Sequence, residues 1–122
     1  MKQVRLLDID VLSEEEKRDV LHCMRVILES DLIYDEEFQT RVGIYRDQLR
    51  EIIDTWPPVG GIVEGSVAFQ AINGSLSDIC YGVPIPDNIL STQFGISRPE
   101  MIITYRKMRY ARTQGWGTSE DA

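Results

Sequence analysis

The chain contains one pattern twice, and this repeat restricts it to a fold with two similar halves. Residues 38–46 align without gaps with residues 90–98, at an offset of 52 residues (90 − 38 = 52). Both segments contain the frame Thr-x-x-Gly-Ile-x-Arg, and apolar positions match apolar positions on either side of it. A gapless match of this kind indicates an internal duplication. We therefore predict two tandem copies of one three-helix unit, at residues 13–58 and 65–112.

Each unit has the spacing of apolar residues that is typical of amphipathic helices. Ser13 followed by Glu16 has the spacing of a capping box at the start of the first helix. In the second unit, the pair Asn73-Gly74 taken alone would favour a hairpin turn, but the apolar residues around it keep helical spacing. We therefore predict a helix there, with Gly74 as a destabilising residue within it.

These patterns predict an all-α fold in which two pseudo-equivalent units pack on a shared core. The first predicted unit has only 46 residues (58 − 13 + 1 = 46) and the second only 48 (112 − 65 + 1 = 48), and chains near ~40 residues rarely fold alone. Outside the units we expect an N-terminal arm (1–12), a flexible linker (59–64) and a disordered tail (113–122). The predicted core residues are Val20, Met24, Ile27, Leu28, Phe38, Val42, Leu49, Ile52, Ile72, Leu76, Ile79, Cys80, Leu90, Phe94, Met101 and Thr104.

Composition narrows the classes of function. The chain has 20 acidic and 13 basic residues, and its net charge of −7 disfavours a nucleic-acid coat protein or a protein that binds anionic membranes. No apolar run reaches the ~18 residues of a membrane span, so we expect a cytoplasmic protein. Two cysteines and one histidine are too few for a Cys/His zinc site, and the sequence contains no catalytic, cofactor or metal motif. The acidic residues 14–16 and Asp19 fit the start of a helix, where negative charge is stabilising.

Residues 87–106 resemble the helix-turn-helix segment of DNA-binding regulators. Gly95 stands where that turn needs a positive φ, and Ser91 is the small residue that lets the two helices approach closely. The corresponding residues of the first copy are similar. The resemblance implies that the start and the outer face of the last helix would contact DNA. The candidate interaction residues on this helix are Arg98, Ile102, Ile103, Arg106, Lys107, Arg109 and Arg112.

Two hypotheses of function follow. The first is a non-enzymatic, acidic protein that binds a protein partner or a second copy of itself, as antitoxins, immunity proteins and adaptors do. The alternative is a helix-turn-helix regulator that binds DNA through the second copy. Ile102 and Ile103 discriminate between them, because the first copy has Arg50 and Glu51 at these positions and the scaffold therefore needs no apolar residue there. We expect both isoleucines to be covered, by the first copy or by a second chain, which favours the first hypothesis.

Overall fold

Six helices and one two-stranded sheet make up the fold in the computed structural model, which describes residues 6–58 and 61–121, with side chains for 7–58 and 62–109. The predicted all-α fold is confirmed. The helices are α1 (Glu14–Glu29), α2 (Asp35–Val42), α3 (Arg46–Asp54), α4 (Val67–Ser77), α5 (Asp87–Phe94) and α6 (Arg98–Asp121). The strands are β1 (Leu6–Asp8) and β2 (Gly61–Val63). A short 3-10 turn (Ile9–Val11) follows β1, and a π-helical turn (Asp78–Gly82) continues α4.

Local sequence explains where the helices begin and end. The Ser13 hydroxyl accepts from the Glu16 amide and the Glu16 carboxylate accepts from the Ser13 amide, so both bonds of the predicted capping box are present. Ser66 caps α4 in the same way by accepting from the Phe69 amide. Helices α2 and α5 both end at a glycine in the left-handed conformation, which costs a residue without a Cβ little.

The two halves share their element boundaries at the predicted offset of 52 residues. Helix α2 spans 35–42 and α5 spans 87–94, and α3 and α6 begin at 46 and 98. The two left-handed glycines, Gly43 and Gly95, are also 52 positions apart. The duplication itself stays a prediction, which these matching boundaries favour.

The core is continuous between the halves and contains the predicted residues. All of them are buried except Ile52 and Phe94, which are partly buried against the same cluster. The polar Thr104 is buried as well, at the position where the helix-turn-helix pattern would have an aliphatic residue. An ion pair also joins the halves, since the Arg41 guanidinium donates to the Asp78 carboxylate at 2.8 Å.

Gly74 lies where α4 passes closest to the end of α2. A Cβ built on it would lie 2.1 Å from the Val42 carbonyl oxygen, a distance that no side chain tolerates. From the sequence we expected only that Gly74 would destabilise its helix. The structure shows that the absence of a side chain at Gly74 also permits the close contact of α4 with the Val42 carbonyl at the end of α2. Asp78 lies four residues after Gly74, in the π-helical turn that continues α4, and it pairs with Arg41 on α2.

The arm and the linker pair with each other instead of remaining separate segments. Strand β1 is antiparallel to β2, with Leu6 opposite Val63 and Asp8 opposite Gly61. Part of the expected flexible linker is therefore a strand, because the apolar residues Leu7 and Ile62 become buried when the two segments pair. Residues 59 and 60 of the linker and residues 1–5 of the arm lie outside the described residues.

Helix α6 continues beyond the end predicted for the second unit. Its backbone is helical to Asp121, across most of the segment 113–122 for which we expected a disordered tail. No proline interrupts this stretch, and an existing helix adds each further residue without a new nucleation step. The side chains beyond Arg109 are outside the described set, as is Ala122.

Candidate interaction surface

Arg98, the first candidate residue, holds a loop in place rather than pointing into solvent. Its side chain is 14% exposed. Its guanidinium donates to the carbonyl oxygens of Ile79, Ile85 and Val83 at 2.9, 2.6 and 3.1 Å, and to the Asp87 carboxylate at 2.6 Å. These bonds fix the segment between α4 and α5 against the start of α6. The expectation that Arg98 belongs to an interaction surface does not fit this position, because its donors are already engaged.

Arg46 has the equivalent role in the first half. It donates to the carbonyl oxygens of Leu28 and Ile33 at 2.6 and 2.8 Å and to the Asp35 carboxylate at 2.8 Å. Asp35 is 52 positions before Asp87, the acidic partner of Arg98. The Arg in the repeated frame is therefore a residue that both halves use to secure the loop before their second helix.

The remaining candidates on α6 lie in different environments. Ile102 is partly buried against the core, whereas Ile103 is 64% exposed. The first half therefore does not cover Ile103, and cover by a second chain, the other possibility that we expected, stays a prediction. Lys107 donates to the Glu16 carboxylate at 2.9 Å, and the Arg109 guanidinium lies 5.2 Å from the centre of the Tyr105 ring. Arg106 is exposed, and the Arg112 side chain lies outside the described residues.

Ile103 forms part of an acidic groove between α1 and α6. Helix α1 contributes carboxylates at Glu15, Glu16 and Asp19, and α6 contributes Glu100 beside the exposed isoleucine. The other lining residues are Ser13, Thr104 and Lys107. We call this set of eight residues, 13, 15, 16, 19, 100, 103, 104 and 107, the α1–α6 groove.

The carboxylates of the groove are not equally stabilised. Partial burial, followed by the nearby charges of Glu15 and Glu100, raises the pKa of Asp19, although His22 and Arg18 oppose the shift. The Lys107 hydrogen bond, together with the Ser13 amide, lowers the pKa of Glu16. Glu16 is thus paired with the Lys107 ammonium, whereas burial and the neighbouring carboxylates disfavour the ionised form of Asp19.

A separate pocket lies beyond Asp19, toward the turn between α5 and α6. His22 lies there, and its Nε2 donates to the Phe94 carbonyl oxygen at 2.6 Å, which ties α1 to the end of α5. Cys23 behind it is fully buried, and burial raises the pKa of its thiol. The Cys23 thiol is therefore not presented to solvent in this pocket.

The sequence explains the acidic residues of α1 by their position at the helix start, and it did not predict that they line a groove with α6. The signal was Asp19, which lies beyond the first turn of α1, where the helix dipole no longer favours a negative charge. Glu100 gave no comparable signal, because its position three residues after Ser97 is explained by the helix start alone.

Comparison with protein-family models, with curated proteins and with solved structures finds no match to this chain. Within the described residues, no group of three or more His, Cys, Asp or Glu side chains is placed to hold a metal ion. The helices of the same residues include none that is both long enough and apolar enough to cross a membrane.

Proposed function

We propose that this protein is a non-enzymatic interaction module that binds a basic protein partner through the α1–α6 groove. The observation that supports this proposal is the exposed Ile103 beside carboxylates that repel one another. An apolar side chain in the centre and charges at the rim is the usual arrangement of a protein-binding surface. The role is the one that acidic regulators, antitoxins and immunity proteins fill.

The charge of the groove specifies the partner. Burial, followed by the charges of Glu15 and Glu100, disfavours the ionised form of Asp19 in the free protein, and a lysine or arginine from a partner would offset both effects. Surfaces that cost stability in the free state are typical of binding sites, because selection for binding retains them. A basic segment with one apolar side chain to place against Ile103 fits both features.

The alternative is a DNA-binding regulator with α6 in the major groove. By the criterion stated for the two isoleucines, the exposure of Ile103 favours this alternative and the partial burial of Ile102 disfavours it. The charges and hydrogen bonds of α6 count against it. Arg98, the residue at the start of the recognition helix, makes four hydrogen bonds within the protein, and each of its three guanidinium nitrogens donates at least one of them. The α6 face also presents Glu100 and Ile103, and a carboxylate there would be repelled by phosphate. Arg106 and Lys107 are the exposed basic residues among the described candidates on α6, and Lys107 is paired with Glu16.

Binding of an amphipathic peptide that contains lysine and leucine, followed by fluorescence anisotropy at low salt, tests the proposal. Glu100→Gln should weaken binding about two- to fivefold, because it removes one partner of a charge pair. Glu51→Gln is the matched control, since it makes the same change on an exposed position of α3. Ile103→Ser should also weaken binding, and added salt should weaken it for the wild type.

Equal effects of Glu100→Gln and Glu51→Gln would contradict the groove as the binding site. Tight binding of duplex DNA in an electrophoretic shift assay at low salt, lost in Arg106→Ala, would instead favour the regulator.

A further inference from the structure

Two exposed tyrosines mark a second surface, on the first half of the molecule. Tyr34 directly precedes α2 and Tyr45 directly precedes α3, and their side chains are 70% and 63% exposed. Aromatic side chains with this exposure contribute little to a core. They are, however, enriched where proteins bind one another, because a rigid ring with a polar end buries much area at low entropic cost.

The second half shows that these helix starts do not need an aromatic residue. At the positions 52 residues later, α5 follows Pro86 and α6 follows Ser97, and both helices begin in the same register. The tyrosines are therefore additions to the shared scaffold in the first half only. Binding to another molecule explains these tyrosines better than packing within the protein does.

The surroundings of Tyr45 are acidic, and Tyr34 directly precedes Asp35, one of the acidic residues there. Asp35, Glu36 and Asp47 line a shallow depression between α2 and the start of α3, together with Tyr45. Arg46 is the cation among the lining residues, and its guanidinium is already bonded to Asp35 and to two carbonyl oxygens. The charge that faces solvent is therefore negative and complementary to a cationic partner.

A contact between two lining residues, Arg46 and Phe38, indicates which kind of cation the depression favours. The Arg46 guanidinium lies 4.3 Å from the centre of the Phe38 ring while it bonds to Asp35. A planar guanidinium can contact an aromatic face and a carboxylate at the same time, which an ammonium group does less well. Tyr45 and Asp47 offer a ring and a carboxylate of the same kind to solvent.

We propose that Tyr34, Tyr45 and Asp47 form a docking surface for an arginine-rich segment of a protein partner. This surface shares no lining residue with the α1–α6 groove. It rests on the proposed function only in that the partner is a basic protein, and it adds a second point of attachment whose specificity is for arginine.

The test is a titration of isotope-labelled full-length protein with an Arg-Gly repeat peptide, followed by amide NMR shifts and by anisotropy. The largest shifts should fall on residues around Tyr34 and Tyr45, and a Lys-Gly peptide should bind more weakly. The double variant Tyr34→Ala/Tyr45→Ala should lose about five- to tenfold in affinity, the effect expected for two aromatic–cation contacts. Tyr81→Ala is the matched control, because Tyr81 is an exposed tyrosine in the other half.

Three outcomes would overturn this proposal. Shifts confined to the α1–α6 groove would leave the groove as the binding site and remove the tyrosine surface. Equal affinities of the double variant and of Tyr81→Ala would do the same. Shifts around Tyr34 and Tyr45 that depend on protein concentration without peptide would make a second copy the occupant. Tyr34→Phe/Tyr45→Phe retains both rings and should bind normally, which separates the contact from an effect on folding.

Discussion

Arg46 and Arg98 each secure the loop in front of the second helix of their half. In both cases the guanidinium bonds to carbonyl oxygens of the loop and to the first residue of that helix, Asp35 or Asp87. The planar group with five donors suits this task, because it satisfies several acceptors in different directions. The shared arginine of the repeat is thereby explained by folding, without any appeal to nucleic acid.

Replacement of Arg98 should therefore destabilise the protein. Arg98→Ala removes the guanidinium donor from the carbonyl oxygens of Ile79, Val83 and Ile85, and we expect a loss of about 2–4 kcal/mol in the free energy of unfolding. Arg98→Lys should recover only part of it, because one ammonium cannot reach all the acceptors. Urea denaturation measures both, and Arg106→Ala, on the exposed side of the same helix, is the control. A wild-type unfolding free energy in Arg98→Ala would show that the network contributes nothing.

Gly74→Ala should also destabilise the protein, in contrast to what helix propensity predicts. Alanine is favoured over glycine in a helix by about 1 kcal/mol, so propensity alone predicts a gain. The added Cβ would meet the Val42 carbonyl, and α2 would have to move, at a cost of about 2 kcal/mol or more. Thermal unfolding gives the sign directly. Val67→Ala, at the exposed start of the same helix, should change the melting temperature little.

The groove between α1 and α6 combines a stabilised and a destabilised carboxylate on one helix. Glu16 completes the capping box of α1 and pairs with Lys107, whereas Asp19, less than one turn away, faces Glu15 and Glu100. The first arrangement supports the fold. The second does not, which is why we assign the binding role to this part of the groove.

Asp19→Asn should stabilise the protein at neutral pH and do so less in acid. Because the pKa of Asp19 is raised in the folded state, its ionised form opposes folding, and this cost grows as pH rises through the interval above 3.8. The variant removes the cost, so its gain in melting temperature should be present at pH 7 and absent below about pH 3.8. We expect a gain below about 1 kcal/mol, since the site is partly open to water.

Melting curves of wild type and Asp19→Asn over this pH range make the comparison. The difference between the two proteins isolates Asp19, because the opposite contribution of Glu16, whose lowered pKa stabilises the fold above pH 4.5 and less in acid, is common to both. A gain that is independent of pH would show that the ionisation of Asp19 is not its cause.

The helices could be predicted from sequence because their signals are local. The capping box of α1, the glycines after α2 and α5 and the apolar spacing all act within a few residues. The reason for Gly74, the pairing of β1 with β2 and the partners of Arg98 depend on segments far apart in the chain. Periodicity does not encode such contacts, so the α1–α6 groove was not predicted, and a basic strip on α6 was predicted in its place.

The two halves form one hydrophobic core, and the cysteines report on its integrity. Cys23 and Cys80 are both buried, and burial raises the pKa of Cys80 to about 11. Thiols react as thiolates, so at pH 8 a thiol reagent such as Ellman's reagent should label neither cysteine in the native protein. In urea both should react at the rate of a free thiol. Fast labelling of Cys80 in the native state would show that the π-helical turn after α4 opens without global unfolding.

Strand β1 precedes every helix in the chain, yet it packs on α6, the last of them, and pairs with the segment between the halves. During synthesis, β1 can therefore reach its packed position only after α6 has been made. Leu7 and Ile9, both buried in the finished fold, stay exposed to solvent until α6 has left the ribosome. These residues should consequently reach their native state only after α6 has been made, with a folding rate limited by this contact between distant segments.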